Sequence, residues 1–457
     1  MKEKLAEVVG GLSADYADLR YEENRKTRIS FRGKRLVEVA SYETSGGHVR
    51  AYAGGGKAIA SFSDPARAAS MAKAVAASAL IVGDKRDKPL RLAVAPTITE
   101  SFPISSPRDV RTISLKEKLD LVAHYNETIL REPTVATTEA NYDEFVSRRV
   151  FVNSEGSVIE YDIVVANILG FIVTKKEEVL QRVRFAFGGD ADFGRLQGRD
   201  ADLARQIEIA RRLPDAEPAK AGLFPVILDP SEAGLFIHEA FGHLSEADGL
   251  QNNPAFRAKL QLGTSLGREI LNVTDDPLPP GLPGSYVIDD EGVRGVRTSL
   301  IAGGVLSGRM HSRETAAEFG EPLSGNMRAV DTHNTPVVRM SNIFIETGPH
   351  TFDEMVASIE DGYYLVGAKG GQTSGDQFTF GAQWGYKIEN GRLGALVRDI
   401  NMSGELFSTL QAISMIGDDI SFGERGGCGK GSPPQFNRQS GKGAPHIRID
   451  QVTIGGV

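Results

Sequence analysis

The C-terminal half of the chain opens with the stretch FPVILDPSEAGLFIHEAFGHLSEAD, residues 224–248. The apolar run 224–228 is typical of a buried strand. Asp229 can cap the helix that follows, and Pro230 suits its first turn, where a missing N–H costs little. The apolar residues after them predict one helix over about 230–248. A helix that follows a strand directly carries its polar residues close to the strand end, a common place for sites.

Within this helix, two histidines and a glutamate form the pattern His-Glu-x-x-x-His at His238, Glu239 and His243. Zinc peptidases commonly carry the shorter pattern His-Glu-x-x-His, which sets both imidazoles on one helix face beside a glutamate general base. Residues five apart in a regular α-helix are instead rotated by roughly 140° about the axis, so their side chains diverge. We therefore expect a π-bulge or a break around Phe241–His243, where Gly242 tolerates distortion.

A third metal ligand is needed, because a catalytic zinc usually takes three protein ligands and leaves one position for water. The candidates are His333, Glu246, Asp248 and Cys428. Cys428 is favoured, because a thiolate suits zinc better than a carboxylate does and its flanking glycines allow close approach of the backbone. The hypothesis is a zinc site of His238, His243 and Cys428 with Glu239 as the catalytic base. A solvated helix face, the plainer alternative, fits poorly with an otherwise apolar helix.

The rest of the chain divides at Leu213–Lys220, a segment with two prolines and little to bury that is typical of a linker. A chain of 457 residues is also too long for one ordinary core. We expect an N-terminal domain over residues 1–215, serving dimerisation and substrate enclosure, and a C-terminal domain over residues 222–457. Patterns at helical spacing predict helices over about 3–20, 64–81, 114–131 and 201–213.

The simplest fold class for this pattern is α+β. The N-terminal domain is expected to combine antiparallel strands with long helices, since strand-like runs such as Arg35–Tyr42 and Gly47–Ala53 lie between the helical patterns. The C-terminal domain is richer in glycine and strand patterns. It is therefore expected to be β-rich and to carry the metal-binding helix.

Composition limits the classes of function. The net charge of −8 argues against nucleic acid as the main partner, since phosphate binding needs a basic surface. No uninterrupted apolar stretch of about 18 residues occurs, so no membrane-spanning helix is expected. The N-terminus lacks the apolar core of a signal peptide, which predicts a cytoplasmic protein. No nucleotide cofactor is expected, because Lys430 is followed by Gly431 rather than the Ser or Thr of a phosphate-binding loop.

Several segments, in the same order along the chain, resemble one known family. The motif over His238–Asp248 is similar to the signature of the TldD subunit of the TldD/PmbA (TldE) metallopeptidase family. Further resemblances span nearly the whole chain, at residues 14–22, 289–292, 338–342, 415–418, 428–430 and 452–456. Several motifs in one order make a chance resemblance improbable.

The resemblance implies a two-domain α+β protein whose zinc is held by His238, His243 and Cys428, with Glu239 as the catalytic residue. It also implies cleavage of peptides and unfolded polypeptides. The chain keeps all four positions, so it resembles the active TldD-like member, which typically pairs with a metal-free PmbA/TldE-like subunit. For this chain, a homodimer and a heterodimer with such a subunit are both open.

Two other functions fit the same residues. One is a non-catalytic binding or scaffold subunit, in which zinc is structural and Glu246 closes the site as a fourth ligand. Glu239 argues against it, because a structural site has no use for a base beside the first ligand. The other is a small-molecule zinc amidase, which differs from a peptidase in pocket shape. Finally, the glycine-bordered segment Lys369–Asp376 predicts either a strand edge for an extended peptide or an ordinary hairpin.

Overall fold

The computed structural model describes residues 1–251, 253–431, 435–437 and 439–455, and within them the fold is α+β with two domains. Gly456 and Val457, the predicted end of the C-terminal domain, lie outside the described residues. The strands of the two domains form separate sheets, and each domain has an apolar cluster of its own. The predicted fold class is therefore confirmed.

The N-terminal domain is built on one sheet. Its strands are β1 Tyr16–Arg32, β2 Arg35–Ala53, β3 Gly56–Phe62, β4 Ser101–Phe102, β5 Val135–Asn153, β6 Val158–Lys176 and β7 Val179–Asp190. They lie in the order β3-β2-β1-β5-β6, and β6 also pairs with β7 and, in parallel, with β4. The helices are α1 Lys2–Gly10, α2 Ala68–Gly83, α3 Leu115–Leu130 and α4 Asp200–Arg212.

Three of the four helices predicted in this half are present as α2, α3 and α4, but the first is shorter than predicted. α1 ends at Gly10, and Tyr16–Arg20 begin β1 instead of continuing the helix. The helix ends at the pair Gly10 and Gly11, and the apolar residues after this pair keep a helical spacing only by coincidence. From Tyr16 onward, apolar and polar residues alternate with the period of a strand.

This alternation gives the sheet two differently built faces. Along β1, one face buries Ala17, Leu19 and Tyr21 in the apolar cluster beneath α1 and α2. The other face buries the charged residues Asp18, Arg20 and Glu22. Buried charges need partners. Some of these lie within the sheet, as Arg50 does for Asp18, and others lie in the C-terminal domain, as Asp290 does for Arg20.

An ionic network joins the two domains. Arg149 of β5 lies 2.7 Å from Asp290, and Arg20 lies 3.7 Å from the same carboxylate. Arg50 of β2 reaches Glu291 at 2.5 Å. Every one of these side chains is buried. The network therefore fixes the loop at residues 289–292 against the N-terminal sheet.

Helix α2, together with the turn before it, is long and apolar enough over Pro65–Gly83 to cross a membrane by length and composition, with a mean hydropathy of 1.3. No such helix is expected from the sequence, because that expectation depends on an uninterrupted apolar run and polar residues interrupt this one. Within the fold, Ala72, Val75 and Ala79 pack into the cluster with β1 and β2. Core helices of soluble proteins can have the same composition, so the feature by itself is weak evidence for a membrane.

The C-terminal domain is β-rich. Its strands are β8 Glu217–Pro218, β9 Gly222–Leu228, β10 Val273–Asp275, β11 Thr298–Ala302, β12 Val305–Leu306, β13 Met327–Arg328, β14 Val337–Val338, β15 Asn342–Ile345, β16 Asp361–Ser374, β17 Gln377–Glu389, β18 Arg392–Arg398, β19 Ile400–Glu405, β20 Ile413–Ile416, β21 Ser421–Phe422, β22 Cys428–Lys430, β23 Gln435–Asn437, β24 Gly441–Ala444 and β25 Ile447–Gly455. Its helices are α5 Pro230–Ala240, α6 Ala247–Gln251, α7 Pro254–Lys259, α8 Arg313–Phe319, α9 Phe352–Ala357 and α10 Leu406–Gln411.

A barrel forms the frame of this domain. Strands β16, β9, β25, β19 and β17 pair in that order, and β17 pairs back to β16. β9 leads out of the barrel into α5, which buries Ala233, Phe236 and Ile237 in the domain core. The end of a barrel strand thus fixes the start of the helix with the predicted metal ligands.

The segment predicted as a linker is folded. Leu213–Asp215 form a 3-10 turn, and β8 pairs with β18 of the C-terminal sheet. Leu213 and Ala219 are buried. A proline-rich segment with few apolar residues can still be held by backbone pairing, which composition does not reveal.

Replacing Asp290 by Asn should destabilise the protein by about 3–5 kcal/mol, because the buried Arg20 and Arg149 would lose a carboxylate partner and be left to share Glu22. Urea unfolding monitored by circular dichroism measures this change. Asp120→Asn is the control, since Asp120 pairs with Lys116 on the surface and exposed pairs contribute little. Equal loss in both variants would contradict a special role for the network.

The difference in unfolding free energy between the parent and Asp290→Asn should depend on pH. Burial alone would raise the pKa of Asp290, but Arg149 and Arg20 outweigh it and hold the pKa below its ordinary value. The stabilisation is therefore complete above about pH 4, the ordinary range of an aspartate, and is lost as the pH falls further. The stability difference between parent and variant should become smaller as the pH falls below about 4, and it should stay constant between about pH 6 and 8.

Candidate metal centre

The helix that carries the motif starts as predicted and ends early. Asp229 accepts a hydrogen bond from the backbone N–H of Glu232 at 2.8 Å, and Pro230 occupies the first turn. The α-helix ends at Ala240, and a 3-10 turn follows over Gly242–Ser245. Of the two distortions that the motif spacing predicts, the break is present and the π-bulge is not.

Packing around Gly242 explains where the helix breaks. A Cβ atom at this position would lie 2.2 Å from Sδ of Met340 and 3.0 Å from Cδ1 of Ile343. The turn is closed by the carbonyl of Phe241, which accepts hydrogen bonds from the backbone N–H groups of Leu244 and Ser245 at 2.9 and 3.1 Å. A side chain here would have to displace the end of Met340, so glycine allows the turn to lie this close to its neighbours.

The break brings the two histidines together with the cysteine. The ring centroids of His238 and His243 are 5.4 Å apart, and Sγ of Cys428 lies 3.3 Å from Nε2 of His243. One ligand atom from each of the three residues lies within 4.8 Å of the other two. Zinc bonds to nitrogen and sulfur are about 2.0–2.3 Å long. Small movements of the three side chains would therefore let one zinc ion bind all three ligand atoms.

The state of His238 fits a metal ligand. Its side chain is fully buried, and neither ring nitrogen has a hydrogen-bond partner in the described part of the chain. Burial, followed by the charge of Lys442, lowers the pKa of His238 well below its ordinary value, so the imidazole is neutral. Buried polar groups are nearly always paired. A neutral, unpaired imidazole beside a thiol and a second imidazole is therefore a donor set that suits zinc.

His243 is oriented by a carboxylate on its far side. Its Nδ1 lies 2.9 Å from Oε2 of Glu246, while its Nε2 faces Cys428. Burial acts to lower the pKa of His243, but Glu246 outweighs it and the pKa is raised. A histidine ligand commonly donates its second N–H to a carboxylate in this way.

Cys428 is held by a short hairpin of β22 and β23. Arg339 is buried and donates hydrogen bonds to the carbonyls of Cys428 at 3.1 Å and Gln435 at 2.6 Å. A Cβ at Gly427 would lie 2.5 Å from the ring of Phe436. The glycine before the cysteine therefore permits a close approach, as the sequence indicated.

The other candidate ligands lie elsewhere. Glu246 contacts the back of His243, and Asp248 accepts a hydrogen bond from Lys430 at 2.6 Å. His333 is exposed in a turn. The contact of Lys430 with Glu246 and Asp248 was not predicted from the sequence, although the place of Lys430 two residues after Cys428 puts both side chains on one face of a strand.

Glu239 lies between the cluster and solvent. Its side chain is 26% exposed, and its Oε2 is 3.8 Å from Nε2 of His243. Both side chains border a cleft of about 530 Å³, whose opposite wall includes Gln372 and Thr373 of β16. Thr373 donates a hydrogen bond to the backbone carbonyl of Glu239 at 3.1 Å. A larger cavity of about 630 Å³ lies between the domains, but none of the cluster residues line it.

The fold and this cluster define the class: a two-domain α+β protein with a metallopeptidase-type motif beside an open cleft. The chain belongs to the PmbA/TldD metallopeptidase family. The model of the PmbA/TldA metallopeptidase C-terminal domain matches residues 221–456, and that of domain 1 matches residues 17–81.

Relatives over the full length and over part of it carry corresponding names. The chain is 35% identical to a metalloprotease of Synechocystis, covering 100% of this chain and 98% of that one. It is 38% identical to the zinc metalloprotease TldD homolog of Saccharolobus solfataricus over 55% of each chain. The structure of TldE from Thermococcus kodakarensis superposes with a TM-score of 0.73 at 17% identity, over 100% of this chain and 98% of that one. This last likeness shows a shared fold.

Replacing Gly242 by Ala should cost about 1–3 kcal/mol of stability, because the new methyl group must displace Met340. Gly249→Ala is a matched control, since nothing lies within 4 Å of a Cβ there. Thermal unfolding of both variants measures the difference. An unchanged melting temperature for Gly242→Ala would show that the tight packing at the helix break is unimportant.

Proposed function

We propose that this protein is a zinc-dependent peptidase that hydrolyses peptides or unfolded polypeptides, with His238, His243 and Cys428 as zinc ligands and Glu239 as the general base. The observation that carries the proposal is the convergence of the three ligand atoms within 4.8 Å of one another. Glu239 lies beside them at the edge of an open cleft. Family membership and the names of the relatives support the same activity.

Each residue has a distinct part in the proposed reaction. Zinc supplies Lewis acidity to a water molecule and to the scissile carbonyl. Glu239 accepts the proton of the attacking water and passes it to the leaving amine. Its position beside His243 but open to the cleft suits this transfer, because a base must reach both the water and the substrate.

The substrate would lie along β16. From Gly371 to Ser374, this strand pairs with β17 on one side, and no described strand pairs with its other edge. Gly371, Gln372 and Thr373 line the cleft next to Glu239. An extended peptide can add to such an edge through backbone hydrogen bonds, which select little among side chains. Low selectivity fits the proposed use of unfolded polypeptides.

A structural zinc site is less well supported. Such a site needs a fourth protein ligand, and Glu246 was the sequence candidate. In the structure, Oε2 of Glu246 is 2.9 Å from Nδ1 of His243 and 2.9 Å from Lys430. Glu246 is also outside the group of converging ligand atoms. Among the described residues, no fourth ligand atom joins the three, which supports a site that keeps one position for water.

We expect Glu239→Gln to abolish hydrolysis of a long unstructured polypeptide while zinc remains bound, because the amide cannot accept the proton. Gel electrophoresis of the substrate and metal analysis of the same sample measure both effects. Glu43→Gln on the exposed part of β2 is the control and should cleave like the parent. Full activity in Glu239→Gln would refute its assignment as the base.

Zinc itself should bind at one ion per chain. Cys428→Ser should reduce the bound zinc strongly after dialysis against a chelator, because a hydroxyl is a much poorer ligand than a thiolate. Elemental analysis after gel filtration gives the stoichiometry. Equal zinc retention in parent and variant would exclude Cys428 as a ligand.

We also propose that the active form contains two subunits of this fold. The fold shared with TldE is compatible with a partner of that type, and with a second copy of this chain. Light scattering of the purified chain gives its oligomeric state. Cleavage by the purified chain alone would favour the homodimer, whereas a zinc-loaded but inactive chain would favour a missing TldE-like subunit.

A further inference from the structure

We infer that Lys430 and Glu246 are positioning residues that hold His243 in the orientation and tautomer that bind the metal. The inference rests on the metal site proposed above and not on peptide hydrolysis. It concerns the side of His243 that faces away from the cleft. There, a continuous chain of contacts runs from Lys430 through Glu246 to Nδ1 of His243.

All the bonding capacity of Lys430 is used within the protein. Its Nζ lies 2.9 Å from Oε2 of Glu246, 2.6 Å from Oδ1 of Asp248 and 2.8 Å from the carbonyl oxygen of Val338. An ammonium group has three N–H donors, so these contacts can occupy every one. Lys430 is therefore a fixed positive charge and is not available as an acid, a base or a contact for substrate.

Lys430 supplies the counter-charge for the buried carboxylate of Glu246. This carboxylate is 1% exposed, and a buried carboxylate without a partner would become protonated. Its Oε2 lies 2.9 Å from Nζ of Lys430 and 2.9 Å from Nδ1 of His243, so this buried oxygen has a partner on each side. Because Nδ1 of His243 faces this carboxylate, Nε2, which faces Cys428, is the ring nitrogen available to the metal.

Backbone geometry explains how three residues from two segments meet. His243 and Glu246 are three apart at the 3-10 turn, where side chains three apart lie one above the other. Cys428 and Lys430 are two apart on β22, so both point to the same face of the strand. The turn and the strand each contribute one metal ligand and one residue of the supporting pair.

The test measures zinc affinity by competition with a chelator of known affinity, with the full chain in each case. Lys430→Met and Glu246→Gln should each weaken zinc binding by about 10–100-fold, the usual effect of removing such support from a ligand. Binding of Co²⁺ at saturating concentration should still give the absorption of a site with nitrogen and sulfur ligands. Weaker zinc binding with an unchanged cobalt spectrum would show that the variants lose the support of His243 but keep the three metal ligands.

Lys118→Met is the matched control. Lys118 is likewise buried and pairs with Glu144 at 2.5 Å, but it lies in α3 of the N-terminal domain. Its removal should lower stability without changing zinc affinity. This separates the proposed role from a general loss of stability.

Three results would overturn the inference. Zinc affinity equal to the parent in Lys430→Met and Glu246→Gln would show that the pair does not support the ligand. An equal loss in Lys118→Met would show that affinity follows stability. A parent that binds no zinc would remove the metal site itself, and with it the proposed function, whereas a parent that binds zinc tightly but cleaves nothing would leave this inference intact.

Discussion

The structure of the site depends on one constraint: His238 and His243 are five residues apart, a separation at which a regular α-helix directs side chains away from each other. The helix ends at Ala240, Phe241 departs from helical geometry with a φ of −117°, and the chain continues in a 3-10 turn. The ring centroids consequently lie 5.4 Å apart. Every other feature of the site keeps this break in place or uses it.

The break is held from three directions. Asp229 and the end of β9 fix where the helix begins, and so fix the position of His238. Close packing of Gly242 against Met340 fixes the turn. Arg339, one residue before that methionine, holds the carbonyl of Cys428. One short segment of chain thus positions both the turn and the cysteine hairpin, which couples the two halves of the ligand set.

Much of this arrangement was predictable because it depends on local chemistry. The cap at Asp229, the distortion near Gly242 and the choice of Cys428 all follow from residue types and spacing. The type of distortion did not follow, since a π-bulge and a break satisfy the same spacing and only the packing against Met340 distinguishes them. The interdomain ionic network could not be predicted from the sequence either, because Arg149 and Asp290 are 141 residues apart in the chain and no local pattern links them. The folded linker escaped prediction for a related reason: β8 is held by backbone pairing with β18.

The motif contains two glutamates whose surroundings give them different tasks. Glu246 is buried between a lysine and a histidine, so it is ionised and its Oε2 is fully engaged. Glu239 has a side chain that is 26% exposed and borders the cleft, with its backbone held by Thr373. In the proposed function, environment rather than residue type decides which carboxylate would exchange protons with a substrate and which would hold a metal ligand. The break in the helix creates this division, because it turns Glu246 inward behind His243 while Glu239 stays on the regular helix and faces the cleft.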